Sequence, residues 1–285
     1  MNLTIDEKDR PYWKKVTIEV DKSHWKALFS TIAIPLLQHL KNENAITAYY
    51  LEIGKDVLHF AYKTSDGKKS DVVKMLRAFL LSENNAISTV KINSLKAGGF
   101  VYPLHNYGDL VSDFYPFEEF SDIIMAVFST QKVSDEMIFM LSMHLQLGWI
   151  KMRARVCREP ISSIIVKGYC WFVTPQMMEG FIPYLEKLFA GAKDDLINLY
   201  RKIMNYEVQS PDKLPPWMLY WFKVSSNAII RNMTLNFNNE YLSEMTYYYI
   251  PNLINHQMGL DNEDVLTQMY YINQIVLHSN KTNSL

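Results

Sequence analysis

The hydrophobic period of this chain changes near Pro116, and that change limits what it can fold into. From Tyr12 to Val20 the apolar residues alternate, with Val16, Ile18 and Val20 set against Lys15, Thr17 and Glu19. A period of two is the pattern of a half-buried β-strand. Residues 46–53 are β-branched and aromatic, Gly54-Lys55-Asp56 supplies a turn, and residues 57–63 resume the strand. That order predicts a hairpin. A further strand is predicted over 86–95. Between the strands, Asp21 and Ser23 offer N-cap chemistry to a helix carrying Trp25, Leu28, Phe29, Ile32, Leu36, Leu37 and Leu40, with Pro35 expected to kink it. A second amphipathic helix is predicted over 70–81.

Beyond Pro116 the apolar positions recur at helical spacing. Helices are predicted over 117–129, 135–150, 161–173, 177–189, 193–205, 217–230, 239–249 and 263–278. The class that results is α+β: antiparallel strands mainly in the N-terminal ~110 residues, packed against a helix-rich remainder. At 285 residues the chain can bury a sizeable core. It is expected to form a single domain over 1–285, with a loop or sub-boundary at 207–216, where Pro211, Pro215 and Pro216 cluster.

Lys+Arg 29 against Asp+Glu 30 gives a net charge of -1, without the basic footprint of a nucleic-acid binder. The local strip Lys151, Arg153, Arg155 and Arg158 is expected to be a solvated face. Cys157 and Cys170 are the whole cysteine complement, so a disulfide framework is excluded and a zinc site is not expected. The N-terminus carries no apolar signal-peptide core, and no apolar run approaches the roughly 20 residues of a membrane span. These features predict a soluble, cytoplasmic protein. No P-loop, G-x-G-x-x-G, G-x-S-x-G or HExxH motif is present. No cofactor is expected.

Three polar islands carry the candidate chemistry: Asp56 through Lys63 with His59, Tyr102 through Gly108 with His105, Asn106 and Tyr107, and Asn255 through Gly259 with His256. Each also has a plain structural reading. His59 suits a half-exposed strand position, Tyr107-Gly108 suits a turn, and Asn255 and Gly259 suit a helix C-terminal stop.

Together and in this order the islands resemble the C-terminal or stand-alone domain of lantibiotic dehydratases, the thiopeptide-type bacteriocin biosynthesis domain. The family opens with a Trp-containing strand and a helix ending in Pro-Leu-Leu, similar to Trp13 and Pro35-Leu36-Leu37. An aromatic strand and a His-Leu-Arg-Leu-Arg strand follow, matched here by Tyr49-Tyr50-Leu51-Glu52-Ile53-Gly54 and His59-Phe60-Ala61-Tyr62-Lys63. Its Arg-Tyr-Gly-Gly motif is similar to Asn106-Tyr107-Gly108-Asp109. Its His-Met and Asn-Arg-Leu-x-Gly segments fall at Pro251-Asn252 and Asn255-His256-Gln257-Met258-Gly259, with Glu263 as the acid of the last helix.

The resemblance implies tailoring of a ribosomally synthesised precursor peptide. One branch eliminates glutamate from glutamylated Ser or Thr, and another joins two dehydroalanines by a pyridine-forming cycloaddition. Elimination needs a base for the α-proton and cations for the leaving carboxylate, a task suited to arginine. Here the arginine positions hold Ala61, Lys63, Asn106 and His256, and the histidine of the His-Met segment falls at Pro251. The resemblance therefore assigns His59, Lys63, His105 and His256 as catalytic candidates, and Asn106, Tyr107 and Asn255 as substrate-binding ones. The missing arginines move weight from glutamate elimination towards the cycloaddition branch. The alternative is a catalytically degenerate subunit that binds the precursor peptide or completes a split dehydratase, with 57–63 as an edge strand for β-augmentation. Beyond the peptide, a separate glutamylating subunit and a homodimer are the partners considered.

Overall fold

Alternation along the first strand becomes a two-faced sheet. In the computed structural model the described residues are 13–64, 92–98, 116–169, 175–206, 214–235 and 250–282. The expected helices at 70–81 and 239–249, the strand residues 86–91, the loop residues 207–213 and the whole second island lie outside them. The chain divides into two compact units, Met1–Ile138 with His256–Gly259, and Phe139–Asn255 with Leu260–Leu285.

In the first unit, β1 (Trp13–Val20), β2 (Ile46–Gly54), β3 (Val57–Thr64) and β4 (Ile92–Gly98) form an antiparallel sheet in the order β2-β3-β1-β4. The hairpin forms as the sequence predicts. Gly54 pairs with Val57, and Asp56 takes φ 55, a left-handed conformation aspartate tolerates. The register lines up Val16, Phe60 and Leu51 on one face, and Thr17, His59 and Glu52 on the other. Leu51, Ile53, Leu58, Val16 and Val20 are buried.

The predicted helix after β1 is composite. It comprises α1 (Trp25–Leu28), a π-helical turn (Phe29–Ala33) and α2 (Ile34–Asn42). Pro35 stands in the first turn of α2, where its missing N–H costs least, and the wider turn before it replaces the expected kink. Trp25, Phe29 and Phe128 form a triangle of rings 6.0–6.3 Å apart that ties this helix to α3 (Phe117–Phe128).

Two expectations about strands are corrected. The described part of β4 runs past the predicted end at 95, because alternation continues through Leu95 and Ala97 and Gly98 still pairs with Lys15. Residues 57–63 do not form an edge strand. β3 is paired on both sides, so it has no free ladder for a peptide. Among the described strands the edges are β2 and β4, and α3 covers that of β2. The Leu51 N–H donates to Ser121 Oγ at 2.9 Å, and Glu118 accepts the N–H of Tyr49.

The second unit is helical: most of α4 (Asp135–Cys157), α5 (Ile161–Tyr169), α6 (Pro175–Met204), α7 (Pro216–Leu235), most of α8 (250–257) and α9 (Asn262–Thr282). The helices predicted at 177–189 and 193–205 are one, α6. Ala190-Gly191-Ala192 does not interrupt it, because Leu185, Phe189, Leu196 and Tyr200 keep one apolar stripe along its length. Phe189 packs against Tyr270, Tyr271 and His278 of α9 at 5.7–6.2 Å between rings. Gly148 of α4 lets α7 come close. A Cβ there would stand 2.8 Å from Trp221 Cδ1, whose indole N–H donates to Leu145 O at 2.7 Å.

The basic strip is also corrected. Arg155 and Arg158 are exposed, but Lys151 and Arg153 are buried. Lys151 Nζ donates to the carbonyls of Ile203 and Met204, at 2.9 and 3.0 Å, capping the C-terminus of α6. Arg153 faces Glu159 at 3.9 Å. Both charges tolerate burial because they are partnered.

Candidate functional site

The two-residue turn between β2 and β3 decides which side chains share one face of the sheet. It sets Glu52 opposite His59, and the β1–β3 register sets Thr17 opposite His59 on the other side. Directly opposed residues on one face stand close enough to interact. Thr17 Oγ1 lies 3.2 Å from His59 Nδ1. Lys96 of β4 is the register partner of Thr17, so one row across the sheet reads Glu52, His59, Thr17, Lys96.

The third island reaches this row from the far end of the sequence. Helix α8 closes in a Schellman motif: the Leu260 N–H donates to Asn255 O and the Gly259 N–H to His256 O, both at 3.0 Å. Gly259 takes φ 63, and a Cβ there would overlap the carbonyl of Ile53 on β2. Gln257 Nε2 donates to Ser121 Oγ at 3.0 Å. Seated this way, His256 brings Nε2 to 3.9 Å from Glu52 Oε1.

The electrostatics follow from that arrangement. His59 is half-buried, and burial is the first cause holding its imidazole below the ordinary histidine range. Lys15 and His256 push the same way, and the Glu52 carboxylate opposes them. His59 is thus neutral at pH 7, with one nitrogen free to accept a proton. His256 is 58% exposed while Glu52 is 16% exposed, so His256 is the member open to solvent or a ligand.

The expected site residues fall in different places. His59 and His256 meet at Glu52. Lys63 is on β3, two alternations along the same face, opposite Ala48 and Trp13. Asn255 is 2% exposed and lies in the second unit, in an amide network with Ser142 and Gln146, both at 2.8 Å; Gln146 Nε2 also reaches Gln268 Oε1 at 2.6 Å. His105, Asn106 and Tyr107 lie outside the described residues. Glu52 and Thr17 were not among the sequence candidates, although counting outwards from the turn would have found Glu52. Among the described residues no group of His, Cys, Asp and Glu is placed to hold a metal ion, and no helix is long and apolar enough to cross a membrane.

No protein-family model matches the chain, and no curated protein matches it. Solved structures do. The pyridine synthase TbtD from thiomuracin biosynthesis superposes with a TM-score of 0.64 at 10% identity, over 94% of this chain and 98% of that one. TsrL gives 0.67 at 12% identity, over 94% and 95%. The tRNA-dependent lantibiotic dehydratase MibB from Microbispora sp. 107891 gives 0.61 at 10% identity, over 98% of this chain and 29% of that one. The α+β fold of this chain is the fold of TbtD, of TsrL and of the matched portion of MibB, in keeping with the lantibiotic dehydratase and thiopeptide-type resemblance of its islands.

Proposed function

We propose that this chain tailors a ribosomally synthesised peptide by proton transfer at dehydrated Ser or Thr residues, with His59 as base and His256 as acid. The reading is carried by the meeting of His59 and His256, from opposite ends of the sequence, at Glu52. A neutral, half-buried imidazole beside a second, exposed one is a chemically competent pair near neutral pH.

Of the two reactions the resemblance implies, pyridine-forming cycloaddition between dehydroalanines is favoured. Glutamate elimination must hold a leaving carboxylate, yet Ala61, at a family arginine position, is fully buried and carries no charge. Each lost charged hydrogen bond costs roughly 1.5–3 kcal/mol. A cycloaddition has no free carboxylate to hold, and aromatising its product by eliminating water and the leader fragment still requires a base to take protons and an acid to protonate the leaving groups. Lys63 and Asn255 would act outside the proton-transfer pair, on the peptide and in the fold respectively. A precursor peptide is the partner in this reading, with a separate glutamylating dehydratase, which also expels the glutamate, supplying dehydrated substrate upstream.

The test is mass spectrometry on two peptides, one bearing two dehydroalanines and one bearing glutamylated serine. Loss of a leader fragment from the first supports ring formation. Loss of glutamate from the second moves the assignment to elimination. Binding without any mass change favours the alternative, a precursor-binding subunit.

A further inference from the structure

We infer that Glu52 is the positioning residue of this site, a carboxylate shared by both imidazoles, and that Thr17 fixes His59 through Nδ1 so that Nε2 exchanges the proton. This deepens the reading above and rests on it for its catalytic meaning; the geometry stands independently. Glu52 is held by the sheet. It sits on β2 between Leu51, whose N–H is bound by Ser121, and Ile53, whose carbonyl lies against Gly259. A strand backbone held on both sides of Glu52 sets the point from which its carboxylate meets two rings that arrive from different elements.

The neighbours define what Glu52 can do. His59 stands opposite it in register, and His256 Nε2 is 3.9 Å from Oε1. Among the described residues, the other charged and titratable groups that the register puts on this face are Lys15 and Glu19 of β1, Lys63 of β3 and Tyr50 of β2, with Lys96 of β4 at the position opposite Thr17. Lys15 and His256 disfavour a proton on His59, and Glu52 favours one. Glu52 therefore keeps His59 able to accept a proton that its cationic neighbours would otherwise repel. The same carboxylate lies 3.9 Å from His256 Nε2. Thr17 Oγ1 occupies His59 Nδ1 at 3.2 Å, which leaves Nε2 as the ring nitrogen without a hydrogen-bond partner among the described residues.

Imidazole NMR titration of the full chain tests this without any substrate. Glu52→Gln is expected to lower the His59 midpoint and Lys15→Met to raise it. Thr17→Val is expected to change the His59 tautomer ratio. With the dehydroalanine peptide, Glu52→Gln should lower kcat at least ten-fold with little change in KM, and displace the acidic limb of the pH profile. A folded Glu52→Gln chain with an unmoved His59 midpoint overturns the inference. If that variant does not fold, His256→Ala takes its place: its removal must raise the His59 midpoint, and no change overturns the inference equally. Shifted midpoints together with an active His59→Asn variant would sink the proposed function and leave the positioning role standing. An essential His59 with no Glu52 effect would do the reverse.

Discussion

Gly259 lies against the carbonyl of Ile53 with no room for a side chain between them. Its φ of 63 also belongs to the left-handed region, where a Cβ costs roughly 1 kcal/mol before any clash. Gly259→Ala must therefore either lift the turn from β2 or distort the strand. The expected loss is about 2–4 kcal/mol, in the range of strained backbone positions, read from urea unfolding. A loss below about 0.5 kcal/mol would mean that the turn is not seated on the strand.

Ser121 makes one hydroxyl serve three partners. It donates to Phe117 O at 2.6 Å and accepts from the Leu51 N–H and from Gln257 Nε2, in a fully buried position. Ser121→Ala leaves two buried donors without this acceptor, which should cost about 2 kcal/mol. Hydrogen exchange gives the sharper readout, because the Leu51 amide should lose protection before its strand neighbours do.

Lys151 caps the end of α6 from inside the second unit, with Tyr206 and Phe222 rings at 5.4 and 5.5 Å from Nζ. Lys151→Met retains most of the volume but removes the charged donor from two carbonyls. A loss of about 2–3 kcal/mol is expected, as for other charged hydrogen bonds. An unchanged denaturation midpoint would show that α6 needs no such cap.

His144 sets a pH dependence of stability. Burial holds its imidazole below the ordinary value; a bond from Nδ1–H to Met140 O, 2.6 Å long, opposes this, and Lys202 adds to it. Because the folded value is the lower one, the unfolded chain takes up the proton first as pH falls below about 6.5. The contribution is complete above that pH and is lost as pH falls through the depressed folded value. Thermal midpoints should drop between about pH 7 and 5 in the wild type. His144→Gln should flatten that part of the curve, and a slope the same in both would contradict the assignment.

Local patterns in the sequence carried much of the fold. Val16, Ile18 and Val20 announced β1, and the spacing around Gly54-Lys55-Asp56 announced the hairpin with its register. That register implied that Glu52 faces His59, a step that needs only counting. What local pattern did not contain was strand order. The position of β3 between β2 and β1 depends on a pairing across 42 residues from Thr17 to His59, so residues 57–63 looked like a usable edge. Lys151 and Arg153 looked solvated because sequence cannot show that carbonyls and a glutamate wait inside. His256 could be named as a candidate from its island, but its carboxylate partner could not. That contact depends on the 256–259 turn, which seats Gly259 against Ile53 of β2 and Gln257 against Ser121 of α3.

The most direct test of the proposed site is the conversion of a peptide bearing two dehydroalanines by the wild type, by His59→Asn and by His256→Asn, with circular dichroism to establish folding. Loss of the leader fragment with the wild type, and rates lowered about 10²–10⁴-fold in each folded variant, is the expected result for a base and an acid. Conversion by the folded His59→Asn variant at the wild-type rate would contradict it.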